Sequence, residues 1–170
     1  MEKLSISEYI ENDHDRLNSL LDQYFNQRDS DLKRAINSFL IFKSYLLRHI
    51  EREERILFPL YEQKTGKNDG PTASMRLEHQ KAYLLLEKLQ SKIQAHKFGN
   101  NQEEQTLLIQ MGQHQLKEEN AIYPVLDQLL NDEEKLQVFK TIQNNPGIGI
   151  DQCALESQCE SSFPLILPGK

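Results

Sequence analysis

Apolar residues recur at intervals of three and four along most of this chain, and few segments show the alternation typical of strands. Four long amphipathic stretches are separated by runs of turn-forming residues at positions 28–31, 65–71 and 98–101. Short connections oblige successive helices to lie antiparallel. The pattern therefore predicts an all-α fold, an antiparallel up-down-up-down four-helix bundle.

Each predicted apolar stripe is interrupted by a histidine, and two stripes also contain a glutamate. The apolar positions are Ile6, Ile10, Leu17, Leu21 and Tyr24 in the first stretch; Phe39, Phe42, Leu46, Ile50, Ile56 and Leu60 in the second; Met75, Ala82, Leu86, Leu89 and Ile93 in the third; and Leu108, Met111, Ile122, Val125 and Leu129 in the fourth. The interrupting residues are predicted to point into the core.

These interrupting residues repeat after 65 positions, the repeat interval of the chain: His14, His49 and Glu53 recur as His79, His114 and Glu118. The segment ERILFP at 54–59 likewise matches ENAIYP at 119–124. In an antiparallel hairpin, two residues lie at one height when the turn is midway between them, because both arms rise equally per residue. The midpoints between these residues fall in or beside the predicted turns. All six side chains are thus expected at one level of the bundle.

Histidine and glutamate four residues apart share a helix face, whereas Glu54 and Glu119 are turned away and are expected to be solvated or to support the ligands. Two buried carboxylates at one level would repel each other without cations. Four imidazoles and two bridging glutamates divide into two histidines per ion and leave open positions. This set favours two iron ions with an oxo or hydroxo bridge, or manganese second, over structural zinc.

Other interpretations of single residues stay open. The repeat also fits a duplicated structural hairpin without metal. Tyr45, one turn before His49, either packs in the core or approaches the site as a redox group. His96 has no counterpart at the repeat interval and is interpreted as a cation near a helix end. Pro59 and Pro124 are expected to interrupt helical hydrogen bonding in both halves.

The 170 residues suit one domain, residues 1–143, followed by an irregular tail, 144–170. In the first part, Asn131 with Glu134 signals a short fifth helix to about position 142. The tail contains Cys153 and Cys159, which are either ordinary thiols, a disulfide or a redox site. Its apolar end is expected to pack along the bundle or to dock on a protein partner rather than to leave the tail mobile.

Composition narrows the classes of partner. The net charge is -6, from 20 basic and 26 acidic side chains, which disfavours nucleic acid. The N-terminus has no secretory pattern, and no segment approaches a membrane span of about 20 apolar residues. We expect a soluble cytoplasmic protein.

The motifs that surround the predicted ligands resemble those of the hemerythrin-like (HHE cation-binding) family over roughly residues 5 to 130. They are NDHD at 12–15, HIEREERILFP at 49–59, EH at 78–79 and HQLKEENAIYP at 114–124. The resemblance implies a non-haem di-iron site in a four-helix bundle, with its ligands at the six positions derived above.

Within that family, oxygen-carrying hemerythrins have a His-x-x-x-His pair on the third helix and an aspartate on the fourth. Here His79 stands without such a pair, and the fourth helix offers Glu118. The set is more similar to di-iron proteins that repair iron-sulfur clusters and to the hemerythrin domain of the F-box iron sensor.

The expected ligands are therefore O2, peroxide or NO, in stress response or iron homeostasis. Weak peroxide or NO redox activity and sensing without turnover both remain open, and no catalytic residue is assigned.

Overall fold

The computed structural model describes residues 5–95 and 102–145, which are helical apart from short connections. Seven α-helices follow one another in these residues: α1 (Ile6–Gln27), α2 (Leu32–Arg52), α3 (Phe58–Thr65), α4 (Pro71–Gln94), α5 (Gln102–Ala121), α6 (Tyr123–Leu129) and α7 (Asp132–Asn144). A π-helical turn, Glu53–Leu57, joins α2 to α3. The prediction of an all-α fold is confirmed.

The four long helices form the bundle. α1 packs against α2 and α5, and α4 also packs against α2 and α5. The first predicted turn lies between α1 and α2, and the second lies between α3 and α4, where Gly66 has a φ of 68°. The third predicted turn, at 98–101, lies outside the described residues. Successive long helices are thus antiparallel neighbours, as the spacing predicts.

Side-chain caps fix where several helices begin. Asp31 accepts a hydrogen bond from the backbone of Arg34 at the start of α2. Asn131 and Glu134 form the predicted capping box of α7. Asp127, in α6, accepts hydrogen bonds from the backbone N–H groups at positions 6 and 7 in α1. These hydrogen bonds hold α6 against the first turn of α1.

Both predicted proline interruptions are present, but the two halves achieve them differently. Before Pro59, the backbone widens into the π-helical turn, in which the N–H of Phe58 donates to the carbonyl of Glu53. Before Pro124, α5 ends at Ala121 and a single residue, Ile122, precedes α6. Proline has no N–H and its ring collides with the preceding turn, so the regular hydrogen bonding cannot continue through it.

Two apolar clusters fill the bundle. The first has at its centre Leu17, Leu21, Tyr24, Phe39, Phe42, Leu46, Leu86, Leu89 and Leu107. The second, near α3, α6 and α7, has at its centre Ile6, Ile10, Leu57, Phe58, Tyr61, Met75, Ile122, Tyr123 and Leu126. The inward stripe predicted for the first helix is confirmed in full.

Six of the predicted apolar positions need correction. Leu108 is exposed, and Leu107, which is two turns before His114 and so on its face, is buried instead. Leu129 is also exposed, because the break at Ile122 changes the register of the helix after it. Ile56, Leu60, Ala82 and Val125 are only partly buried. The π-helical turn gives the buried positions of the segment after α2 to other residues, Leu57, Phe58 and Tyr61.

Within the described ranges, no helix is both long and apolar enough to cross a bilayer. The predicted tail, 144–170, begins at Asn144, the last residue of α7, and from position 146 it lies outside the described residues. The same holds for His96 and for both cysteines. The predictions made for them stay predictions.

Candidate metal centre

The structure brings the six predicted ligands together in the middle of the bundle. They come from the four long helices and the π-helical turn: His14 in α1, His49 in the last turn of α2, Glu53 in the π-helical turn, His79 in α4, and His114 and Glu118 in α5. Both glutamates are fully buried. The most exposed imidazole is that of His114, whose side chain is 14% exposed.

Glu53 lies between one histidine of each half of the chain. Its Oε1 is 3.1 Å from Nε2 of His49, four residues earlier. Its Oε2 is 3.2 Å from Nε2 of His79, in the other half. The carboxylate thus presents one oxygen to each imidazole, which is the arrangement of a bridging ligand.

Glu118 repeats this arrangement in the opposite sense. Its Oε1 is 3.1 Å from Nε2 of His114, and its Oε2 is 3.3 Å from Nε2 of His14. The ligand atoms therefore form two groups of four, each with all its atoms within 4.8 Å of one another. The groups share both glutamates: His14, His49, Glu53 and Glu118 in the first, and Glu53, His79, His114 and Glu118 in the second.

The outer nitrogen of each of the four candidate imidazoles faces a carboxylate. The four Nδ1 contacts are His14 to Glu119 at 2.7 Å, His49 to Asp13 at 2.9 Å, His79 to Glu54 at 2.8 Å and His114 to Glu78 at 3.0 Å. A carboxylate there accepts the Nδ1 proton and leaves the Nε2 lone pair free for a metal. Once the Nε2 proton is lost, these contacts favour the tautomer that metal binding requires.

Two of these supporting carboxylates are Glu54 and Glu119, which the sequence predicts to be either solvated or in contact with the ligands as supports. The other two, Asp13 and Glu78, were missed. A signal for them existed, because each directly precedes a ligand histidine and the two positions are separated by the repeat interval.

The chemistry of the layer fits cations. Several buried ligand atoms have no hydrogen-bond partner: Nε2 of His14, Oε2 of Glu53 and both carboxylate oxygens of Glu118. A buried polar atom without a partner costs about 1–3 kcal/mol, and more when it is charged. Divalent ions between the imidazoles and the carboxylates would satisfy these atoms and offset the repulsion between the two glutamates.

In the metal-free chain, protons on the histidines partly compensate the negative charge of the two glutamates. Burial alone would lower the pKa of His49, but Glu53 and Asp13 raise it well above its usual value. Burial also lowers the pKa of His114. The carboxylates of Glu118, Glu53 and Glu78 outweigh that effect, so that the pKa of His114 rises to about 9. Metal binding at neutral pH must therefore displace protons from this layer.

A tyrosine that the sequence analysis did not select reaches the centre. Tyr123 is fully buried, and its hydroxyl donates a hydrogen bond to Oε1 of Glu53. Burial, followed by the charges of Glu118 and Glu53, raises the pKa of Tyr123 well above its usual value, so the hydroxyl keeps its proton. Its counterpart in the first half is Phe58, so the repeat gave no signal for it.

Tyr45, the tyrosine that was considered, lies elsewhere. Its hydroxyl accepts a hydrogen bond of 2.6 Å from Nη2 of Arg16, and its ring packs partly buried against the first apolar cluster. The guanidinium of Arg16 also lies over the ring, 4.3 Å from its centroid. The packing interpretation of Tyr45 is therefore the one that the structure supports.

A cavity of about 30 Å³ adjoins the imidazoles on the side of the first apolar cluster. Its walls include His49, His79 and His114 together with mainly apolar side chains such as Leu46 and Met111. One water needs roughly 10–15 Å³ by the same measure. The cavity therefore has room for a molecule of one or two heavy atoms beside three of the candidate ligands.

Comparison with known families gives the same assignment as the geometry. Residues 5–126 match the family described as hemerythrin HHE cation binding domain. The chain belongs to the hemerythrin HHE family. Neither the curated proteins nor the solved structures gave a match.

The hemerythrin match spans α1 to the middle of α6 and so includes every element that supplies a candidate ligand. Cation binding, typically of iron, is the property of the family. The two ligand groups show where this hemerythrin chain can hold metal.

Proposed function

We propose that this chain is a non-haem di-iron protein that uses the open positions of its two ions to bind or react with O2, peroxide or NO. The observation that carries the proposal is the pair of four-atom ligand groups that share Glu53 and Glu118. Each group offers two imidazoles and two carboxylates, a set that suits iron, with manganese second. Bound iron would supply Lewis acidity and one-electron redox chemistry.

The protein itself positions the imidazoles and selects which molecules can reach them. The supporting carboxylates fix the four imidazoles, and the two apolar clusters on either side of the layer keep bulk water away. The cavity beside His79 and His114 admits only a very small molecule. Its mainly apolar walls favour uncharged diatomics and peroxide over larger or charged substrates.

Metal content and visible spectra of the full chain, grown with iron, test this proposal. We expect close to two irons per chain and charge-transfer absorption under air that disappears under reductant. His79→Ala should lose about half of the iron or all of it, whereas His96→Ala, which removes the remaining histidine, should keep full loading. A colourless wild-type chain that folds equally well without iron would contradict the proposal.

Turnover separates two uses of the same site. Reductant-dependent consumption of peroxide or NO would assign a redox activity in stress defence. Tight reversible binding without consumption would assign a sensor.

The sensor candidate is favoured by exposed apolar side chains on the two helices that carry His79 and His114. They are Leu77 and Leu84 in α4, and Ile109 and Leu116 in α5. A partner that docks there would contact the helices that a change in iron ligation moves.

A further inference from the structure

Tyr123 interrupts the twofold pattern of the metal centre. All six candidate ligands and their four supporting carboxylates obey the repeat interval, but Tyr123 corresponds to Phe58. Both rings are fully buried in the second apolar cluster. The centre therefore has a hydroxyl on one side and none at the matching place on the other.

The hydroxyl of Tyr123 donates its hydrogen bond to one particular carboxylate oxygen. It donates to Oε1 of Glu53, the oxygen that lies 3.1 Å from Nε2 of His49. The other oxygen of Glu53, which faces His79, has no hydrogen-bond partner. Glu118 is also close to this hydroxyl, since its charge and a hydrogen-bond contact both contribute to the raised pKa of Tyr123.

Phe58, at the matching position of the first half, contacts a histidine and not a carboxylate. Its ring stacks on the imidazole of His79, with the centroids 5.6 Å apart and the planes 8° from parallel. That contact covers one histidine of the second ligand group with an apolar surface. The surroundings of the two groups thus differ in polarity although their ligands are the same.

A hydrogen bond to a carboxylate oxygen stabilises its negative charge and lowers its basicity. A less basic oxygen is a weaker donor to a metal ion. We propose that Tyr123, acting through Glu53, makes the two ion positions unequal, so that the ion held by His14 and His49 is bound more weakly than the one held by His79 and His114.

This inference rests on the proposed di-iron function and deepens it. A chain with unequal positions can give up one ion while the other still joins α4 and α5 to the π-helical turn that follows α2. The exchangeable ion would be the one beside Tyr123. Such a chain suits release of iron as well as reaction with a small ligand.

Anaerobic titration of the metal-free full chain with Fe(II) tests the inference. We expect two binding steps in the wild type. In Tyr123→Phe, the weaker step should tighten about tenfold while the stronger step stays unchanged. Repulsion between the two ions separates the steps equally in both proteins, so it cancels in the comparison.

Tyr24→Phe is the matched control. Tyr24 is also fully buried and also donates to a buried carboxylate, that of Glu104, but it lies in the first apolar cluster. Removal of its hydroxyl should leave both binding steps unchanged. A change in the weaker step in this control as well would assign the effect to stability and overturn the inference.

Two further variants test the order of binding without altering Tyr123. His14→Ala should keep the tight step and lose the weak one, and His79→Ala should lose the tight step. The reverse order would overturn the inference, as would a Tyr123→Phe chain in which both steps weaken together or stay as in the wild type. A wild type that binds no second iron would instead refute the proposed di-iron function.

Discussion

At the residue scale, each candidate imidazole owes its orientation to one carboxylate. Asp13 faces His49 within the first half of the chain, whereas Glu119 crosses from the second half to His14. The other two pairs repeat this arrangement at the corresponding positions of the opposite halves. Each of the four candidate histidines is therefore held with Nδ1 toward a supporting carboxylate and Nε2 toward the centre.

Removing one supporting carboxylate should weaken metal binding without removing a ligand. We expect Asp13→Ala to lower the iron affinity about 10- to 100-fold, because His49 loses the acceptor that fixes its tautomer. Competition with a chelator measures the change. Asp13→Asn, which keeps an acceptor oxygen, should lose less.

Asp15→Ala is the control for that experiment, since it removes the same charge from an exposed position two residues away on the same helix. Its affinity should equal that of the wild type. Equal losses in Asp13→Ala and Asp15→Ala would mean that the charge matters and the hydrogen bond does not.

The sequence revealed residues of the centre only where the repeat marked them. The six candidate ligands recur at a fixed interval among apolar neighbours, so periodicity alone selected them. Asp13 and Glu78 carry the same mark, but their partners lie on a neighbouring helix, so spacing along one helix could not pair them. Tyr123 carries no such mark, because its hydroxyl has no counterpart on Phe58.

At the element scale, the two halves reach the same burial by different backbones. The residues four and five places after each ligand glutamate are buried: Leu57 and Phe58 after Glu53, and Ile122 and Tyr123 after Glu118. A π-helical turn does this in the first half and a one-residue break in the second. The prolines predicted an interruption, but which of the two forms is adopted depends on packing around it.

Two glycines should respond oppositely to the same substitution. Gly66, after α3, has a φ of 68°, where a Cβ is unfavourable, so Gly66→Ala should destabilise the fold by about 1 kcal/mol. Gly112 is inside α5 and a Cβ there would meet no atom within 4 Å. Gly112→Ala should therefore stabilise the fold by about 0.5–1 kcal/mol.

Urea unfolding of the two variants in metal-free form measures both effects. Each variant serves as the control for the other, because both add one methyl group. A destabilised Gly112→Ala chain would contradict the expectation for α5, and an unchanged Gly66→Ala chain would contradict the one for the turn.

At the scale of the whole molecule, the ligand layer divides the core. The first apolar cluster lies on one side of it and the second on the other, and all four long helices contribute to the layer. A bound ion therefore links elements that are distant in sequence. Loss of metal should weaken the bundle at its centre, and metal should stabilise the folded state by mass action.

Stability should depend on pH in opposite directions with and without metal. In the metal-free chain, the pKa of His114 is about 9, against 6.5 when unperturbed. The protonated imidazole thus contributes stability that is fully present below pH 6.5 and is lost as the pH rises through about 9, at most about 3 kcal/mol. In the iron-loaded chain, protons compete with the ions, so stability should fall as the pH is lowered.

Melting temperatures of both forms at pH 6, 7.5 and 9 measure these trends, because this range spans the change in the pKa of His114 from 6.5 to about 9. His114→Ala in metal-free form should lose much of the dependence between the two higher values. Parallel curves for the metal-free and iron-loaded chains would contradict metal binding at this histidine.

The sequence by itself determined the all-α fold, the antiparallel order of the long helices and the six candidate ligands. Helical periodicity, short turns and a repeat are local or regular features, and each has one structural consequence. Only the tertiary structure decided which carboxylate supports which imidazole, which tyrosine reaches Glu53 and where the cavity lies. These depend on side chains from different helices meeting in one small volume, which no interval along a single helix specifies.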